Sequence, residues 1–386
     1  MIIPDYAKNS IINLMSSISK SFGVNSQYEE LDILNSKELS KVRNIILIVI
    51  DGMGYEYLMN NGKNSALAEY FKKKITSVFP ASTTSAIPSF ATGVAPNQHG
   101  FTGWFMYLKE IGAVSKIVRF STRSGSMPLD KYGLKMKDFF NQKTIFETIK
   151  AKSYVVQHKN YAYSEFSSAM MKGAKILPYS KLTGFFRQIK KAINTNEDRK
   201  YIYAYWDEFD TICHKHGNTS KKLFRHFQDI DCKLDKFLNS IKGSNTTIII
   251  TADHGLIDFT KSEAIQLDKH PKFTDTLIVP LCGDPRPRVA YCYVKPFKTK
   301  QFENYVKKNF KKYCWMYKSQ DLVNKGYFGL FKPNKKFLDR IGDYMLVMKK
   351  NYVLEEIIPG DKNKPKKACH GGVSKEEMFI PVIIIK

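Results

Sequence analysis

Residues 44–54 read NIILIVIDGMG, and this stretch decides the fold class. The run from Asn44 to Ile50 is apolar almost throughout instead of alternating. Such runs suit strands buried on both faces, as in a parallel sheet covered by helices. Three further runs are of the same kind: YIYAYW (201–206), TTIIIT (246–251) and MFIPVIIIK (378–386). Helical patterns lie between them. In KLFRHFQDIDCKLDKFLNSI (222–241), Leu223, Phe224, Phe227, Ile230 and Leu234 recur at helix spacing. Alternating strand and helix signals predict an α/β fold built on a central, mostly parallel sheet flanked by helices. The 386 residues are expected to form a single domain over 1–386, since large α/β chains can share one sheet. The segment of about 270–365 is rich in Lys, Tyr and Phe with weaker apolar runs, and is expected to form a smaller cap subdomain. GDKNKPKK (360–367) reads as an exposed loop.

Lys and Arg number 61 against 36 Asp and Glu, a formal charge of +25. That surplus attracts anions at long range, nucleic acid among them, although a lysine-coated soluble surface explains it equally well. Cys213, Cys232, Cys282, Cys292, Cys314 and Cys369 form no CxxC pair and are expected to be reduced thiols. In the N-terminal MIIPDYAKNSIINLMSSISKSFGV, Asp5, Lys8, Asn9 and Asn13 interrupt any signal-peptide core. No stretch reaches the ~18 uninterrupted apolar residues of a membrane span. A soluble, cytoplasmic protein is the expectation.

Three of the four apolar runs lead into acidic or histidine residues: Asp51 after the first, Asp210 after the second, Asp253 and His254 after the third. In open α/β sheets ligands bind outside the carboxyl ends of the strands, so these residues can converge. Asp210 and His214 are spaced i, i+4, on one face of a helix. His216 projects elsewhere. His370 sits in the Gly-rich turn of CHGGVSKEEMFIP (369–381), before the last run. In FPASTTSAIPSFATGVAPNQHG (79–100), Ser82, Thr83 and Thr84 precede a short apolar segment, where a helix N-terminus favours an anion. Each motif alone reads more readily as a cap, a turn or a surface pair than as a catalytic group. Together they supply three carboxylates and three imidazoles. Asp210, His214 and His370 can hold one divalent ion, and Asp51, Asp253 and His254 a second, with the Thr83 oxygen directed to both ion and substrate. Mixed N/O ligation points to zinc, with manganese or another divalent ion as the alternative.

The order of these motifs resembles the type I phosphodiesterase/nucleotide pyrophosphatase family of the alkaline phosphatase superfamily. It runs strand–Asp51-Gly, Phe79-Pro-x-x-Thr83, Thr92-Gly93, His99-Gly100, Asp210-x-x-x-His214-x-x-Gly217, Asp253-His254-Gly255 and His370-Gly-Gly. The resemblance implies an alkaline phosphatase-like sheet and a two-metal phosphoester hydrolase. It also implies that Thr83, ten residues before Gly93, is the nucleophile of a phosphothreonine mechanism, with Thr84 as the fallback. One position departs from the family pattern: Trp104 stands in HGFTGWFM where better-known members carry a phosphate-binding Asn.

The expected substrate is a small phosphodiester or nucleotide. No Arg lies between Thr83 and Gly93, which disfavours a monoester clamp beside the nucleophile; Arg286 and Arg288 are candidates to approach from the cap. A phosphomonoesterase or phosphonate hydrolase with the same metals is the alternative, and a basic nucleic-acid-binding pseudoenzyme a more distant one. Residues 79–93 lack the Cys/Ser-x-Pro-x-Arg context of a sulfatase.

Overall fold

The computed structural model describes residues 1–359, 361 and 365–386. Seven strands form the central sheet: β1 (Asn44–Ile50), β2 (Phe71–Thr76), β3 (Lys152–His158), β4 (Lys175–Tyr179), β5 (Lys200–Trp206), β6 (Thr246–Thr251) and β7 (Phe379–Ile385). Their order across the sheet is β2-β7-β6-β1-β5-β3-β4. All four apolar runs of the sequence are strands of this sheet, and every residue of β1 and β5 is buried. Burying an Ile or Val side chain contributes roughly 1.5–3 kcal/mol, so β1 and its neighbours anchor the core.

β5 shows why its run does not alternate. Trp206 meets Phe185 of the Leu182–Ile193 helix edge-on, with ring centroids 5.4 Å apart. Tyr203, on the opposite face, meets Phe90 of the Thr83–Thr92 helix at 6.3 Å. Helices thus cover both faces, and both sets of side chains must be apolar. In the Lys221–Ser240 helix, Leu223, Phe227, Ile230 and Leu234 are buried as their spacing predicts. Phe224 instead points outward and is 39% exposed.

β1 pairs in parallel with β5 and β6, and β3 in parallel with β4 and β5. β7 is the exception, running antiparallel to both β2 and β6. Its apolarity reflects burial and carries no information about direction. The reversal has a geometric consequence. The start of β7 lies beside the end of β2, with Phe379 opposite Thr76. The turn before β7, with His370, is therefore delivered to the edge where β1, β5 and β6 end.

A second seven-stranded sheet lies beside the first. Cys282–Gly283, Val289–Cys292, Cys314–Lys318 and Tyr344–Met348 come from the 270–365 segment, whereas Phe105–Leu108, Ala113–Lys116 and Ser121–Thr122 come from earlier in the chain. The second sheet is therefore assembled from two separate stretches. Of the expected exposed 360–367 loop, residues 360 and 362–364 lie outside the described residues; Pro365 and Lys367 are exposed, whereas Asp361 and Lys366 are half-buried. All six cysteines are free, and among the described residues no helix is long and apolar enough to cross a membrane.

One buried ion pair locks the two sheets together near the late Gly-Gly turn. Arg288 donates through Nε and Nη2 to the Glu377 carboxylate at 3.1 and 3.0 Å, and through Nη1 to the Tyr352 carbonyl at 2.6 Å. Glu377 also accepts from the Gly372 N–H at 2.7 Å. A Cβ on Gly372 would lie 2.5 Å from Glu377 Oε2, so only glycine lets this carboxylate approach. Arg288, a candidate phosphate clamp by sequence, is thereby committed to the fold. Replacing Glu377 by Ala leaves a buried guanidinium unpaired and should cost about 3–5 kcal/mol of unfolding free energy, read from urea denaturation. A loss below about 1 kcal/mol, the scale of an exposed pair, would contradict this role.

Candidate functional site

The Asp and His residues from the ends of the strands do converge. Two groups place one ligand-type atom from each member within 4.8 Å of the others: Asp51–Asp253–His254 and Asp210–His254–His370. His254 belongs to both, which differs from the division expected by sequence. His214 stands beside the second group, its Nε2 3.4 Å from Asp210 Oδ2. His216 belongs to neither group.

The local structure explains how each side chain is aimed. The Asp51 N–H continues the β1 ladder, donating to the Trp206 carbonyl at 2.9 Å. Tyr205 donates its hydroxyl to Asp51 Oδ2 at 2.5 Å, leaving Oδ1 without a partner. Asp253 Oδ1 accepts from the Gly52 and His254 N–H groups, each at 3.0 Å, and Oδ2 is left without a partner. Asp210 Oδ1 is likewise unpartnered. Two histidines follow a matching rule. His254 Nδ1 faces the Gly255 carbonyl at 3.1 Å and His214 Nδ1 the Ala368 carbonyl at 2.7 Å. A carbonyl can only accept, so Nδ1 carries the proton in both and Nε2 presents the lone pair. His254 Nε2 then sits 3.4 Å from Asp51 Oδ1 and 3.5 Å from Asp253 Oδ2.

Charge makes the same case. Burial, with the Asp253 and Asp210 charges nearby, pushes the Asp51 carboxyl well above its usual range. Burial also lowers His254, and lowers His214 to about 3. Asp210 is held low despite burial, because His214, His370 and His254 surround it. The His254 and His214 imidazoles, held neutral by burial beside crowded, half-unsatisfied carboxylates, belong to a donor set that suits a divalent cation.

Thr83 is the first residue of the Thr83–Thr92 helix. Its Oγ1 lies 3.2 Å from His254 Nε2, the histidine common to both groups. Thr83 is partly accessible, whereas Thr84 is completely buried. Ser85 and Ala86 donate to the Ser82 carbonyl, leaving the first N–H groups of the helix directed outward. Ser82 occupies the N-cap position but its side chain makes no cap. Its hydroxyl donates instead to Asp284 at 2.9 Å.

Sequence reading missed three neighbours. Tyr205 lay hidden within an apolar strand. Asp284 carried no motif of its own and comes from the second sheet. Lys366, half-buried, holds Nζ 3.1 Å from His214 Nε2. Trp104 is where the sequence placed it, and its N–H donates to Asp284 at 3.4 Å. Arg286, the other proposed clamp, donates to Glu355 at 2.9 and 2.7 Å.

The family profile described as type I phosphodiesterase / nucleotide pyrophosphatase matches residues 45–372. A bis(5'-adenosyl)-triphosphatase, ENPP4 of Pongo abelii, is 23% identical over 248 residues, 58% of this chain and 50% of that protein. Human ectonucleotide pyrophosphatase/phosphodiesterase family member 5 is 22% identical over 238 residues, 58% of this chain and 47% of its own. The chain thus spans about half the length of these relatives. Among solved structures, murine ENPP5 superposes with a TM-score of 0.66 at 17% identity, covering 88% of this chain and 87% of that one. Phosphonoacetate hydrolase of Sinorhizobium meliloti gives 0.65 at 16% identity, covering 89% and 90%. These likenesses establish the alkaline phosphatase-type α/β fold.

Two outcomes test the ion-binding character of the site. Metal analysis after zinc or manganese loading should find close to two ions per chain. Saturation at about 100 times Kd should stabilise the fold by about 2.7 kcal/mol for each bound ion, and an unshifted melting temperature would exclude a specific site. Asp51→Asn should have opposite effects on stability and ion binding. A carboxyl raised in the folded state costs stability as pH climbs from the ordinary carboxylate range towards its raised value. Without ions, the variant should therefore gain on the wild type with rising pH, while losing ion binding.

Proposed function

This chain belongs to the type I phosphodiesterase/nucleotide pyrophosphatase family, and from that premise we propose that it is a two-metal phosphodiesterase or nucleotide pyrophosphatase with Thr83 as nucleophile. The observation that carries the proposal is the 3.2 Å approach of Thr83 Oγ1 to the histidine common to both acid–imidazole groups. Asp51, Asp253 and His254 would hold one ion; Asp210, His214 and His370 would hold the other. When bound, divalent ions supply positive charge that stabilises phosphoryl oxygens and favours the deprotonated hydroxyl. Zinc suits this donor set, with manganese as the alternative.

The chain's own residues account for the remaining steps. The helix start presents Thr83 Oγ1 in line for phosphorus, and the outward N–H groups of Thr83 and Thr84 receive a developing oxyanion. Thr83 Oγ1 bonds to phosphorus as the bond to the leaving oxygen breaks. Water then attacks the phosphothreonine and releases Thr83. Thr84, sealed in the core, has no route to substrate. Trp104 lacks the side-chain amide of the family's Asn and its backbone N–H is turned to Asp284, so the helix N–H groups carry more of that task.

Nucleotide substrates fit this reading. ENPP4 is named a bis(5'-adenosyl)-triphosphatase, and a structure of murine ENPP5 holds AMP. The +25 formal charge also favours anions. A diester preference is supported by the arginines: none lies between Thr83 and Gly93, and Arg288 and Arg286 are engaged with Glu377 and Glu355. Lys366 favours a second reading. Its amine beside His214 suits a substrate with extra negative charge, a phosphomonoester or phosphonate.

An aryl phosphodiester compared with the corresponding monoester separates the two readings; a strong monoester preference would overturn the first. Thr83→Ala should lower kcat on the order of 10³-fold or more, leaving ion content unchanged. Thr84→Ala should retain turnover, and the reverse pattern would show that Thr84 is the nucleophile.

A further inference from the structure

We propose that Asp284 is a positioning residue of the candidate centre: it holds the Nδ1 edge of His370, turning Nε2 toward Asp210 and His254, and steadies the helix start that presents Thr83. This rests on the two-metal reading above.

Asp284 follows the short Cys282–Gly283 strand of the second sheet and is buried. Its carboxylate joins three segments distant in sequence. Oδ1 accepts from Ser82 Oγ at 2.9 Å and from the Trp104 N–H at 3.4 Å. Oδ2 lies 3.4 Å from His370 Nδ1, a close charge contact. The Gly-Gly sequence after His370 fits around it. A Cβ on Gly371 would stand 2.5 Å from Asp284 Oδ2, and the φ of +100° at Gly371 also favours glycine. The two glycines thus make room for two carboxylates, Glu377 at Gly372 and Asp284 at Gly371.

The three histidines give the second line of argument. His254 and His214 turn Nδ1 to backbone carbonyls. His370 Nδ1 makes no hydrogen bond and instead has the Asp284 carboxylate beside it, 3.4 Å away. A carboxylate behind an imidazole fixes the tautomer and makes the opposite nitrogen a stronger donor. Ser82 connects this ligand to the nucleophile. Its hydroxyl bonds Asp284 instead of capping the helix it precedes, so the same carboxylate fixes the residue next to Thr83.

The test uses the full chain stripped of ions and titrated with cobalt(II) or zinc(II) against a chromophoric chelator. Asp284→Asn should weaken one of the two bound ions about 10- to 100-fold and leave the other nearly unchanged. The cobalt absorption spectrum should change with the weakened ion. Nitrogen-15 NMR of the zinc-loaded wild type should find the His370 proton on Nδ1 and the metal on Nε2, which requires no variant to fold. Affinity for both ions unchanged from wild type in a folded Asp284→Asn protein, or His370 ligation through Nδ1, would overturn the proposal. A wild type that binds no ion would overturn the two-metal reading itself, and this inference with it.

Discussion

Asp253 Oδ1 accepts from the N–H of Gly52 and from the N–H of His254, each at 3.0 Å. One carboxylate oxygen thereby ties the end of β1 to the end of β6, and its partner oxygen is left facing Asp51 and His254. This constraint recurs throughout the site. Asp51 is pinned through one oxygen by Tyr205, and His254 and His214 are each pinned through Nδ1. Asp51 and Asp253 are each left with one unsatisfied oxygen in a buried space, while the Nε2 atoms of His254 and His214 face only Thr83 Oγ1 and Lys366 Nζ. Such groups are costly unless something compensates them. The crowding of Asp51, Asp210 and Asp253 makes a cation the natural compensation, and the rest of the architecture serves to hold that arrangement still.

The second sheet contributes to this rigidity from outside. Arg288 and Glu377 join it to the turn before β7, and Asp284 joins it to His370 and Ser82. Both links pass beside a glycine that could not be a larger residue. A negative and a positive side chain from the connection between Cys282–Gly283 and Val289–Cys292 therefore both bear on one short turn. The late His-Gly-Gly motif is thus a point where three-dimensional packing, more than local conformation, selects the residues.

Several features were legible in the sequence for clear physical reasons. Strands covered on both faces must be apolar at every position, so β1, β5, β6 and β7 announced themselves as unbroken runs. The Lys221–Ser240 helix declared its inner face by spacing, although Phe224 at the edge of that stripe points to solvent. Residues directly after a parallel strand share one edge, which made Asp51, Asp210, Asp253 and His254 credible companions. Asp284 and Lys366 were invisible because neither adjoins a strong strand or repeats at a telling interval. The assembly of the second sheet from 105–122 together with 282–348 was invisible too, since pairing between short strands leaves little trace in composition.

By itself, the sequence determined the α/β class, the main strands and the residue types gathered at their carboxyl ends, because burial and periodicity are local in the chain. The tertiary structure alone decided the direction of β7, which brings His370 to the edge occupied by Asp51 and Asp253. It also decided that His254 serves both groups, that Thr83 and not Thr84 is accessible, and that Arg288 and Arg286 are engaged elsewhere. These outcomes depend on strand pairing and on carboxylates meeting across distant segments. A burial pattern records that a residue is inside, but not which neighbour it meets there.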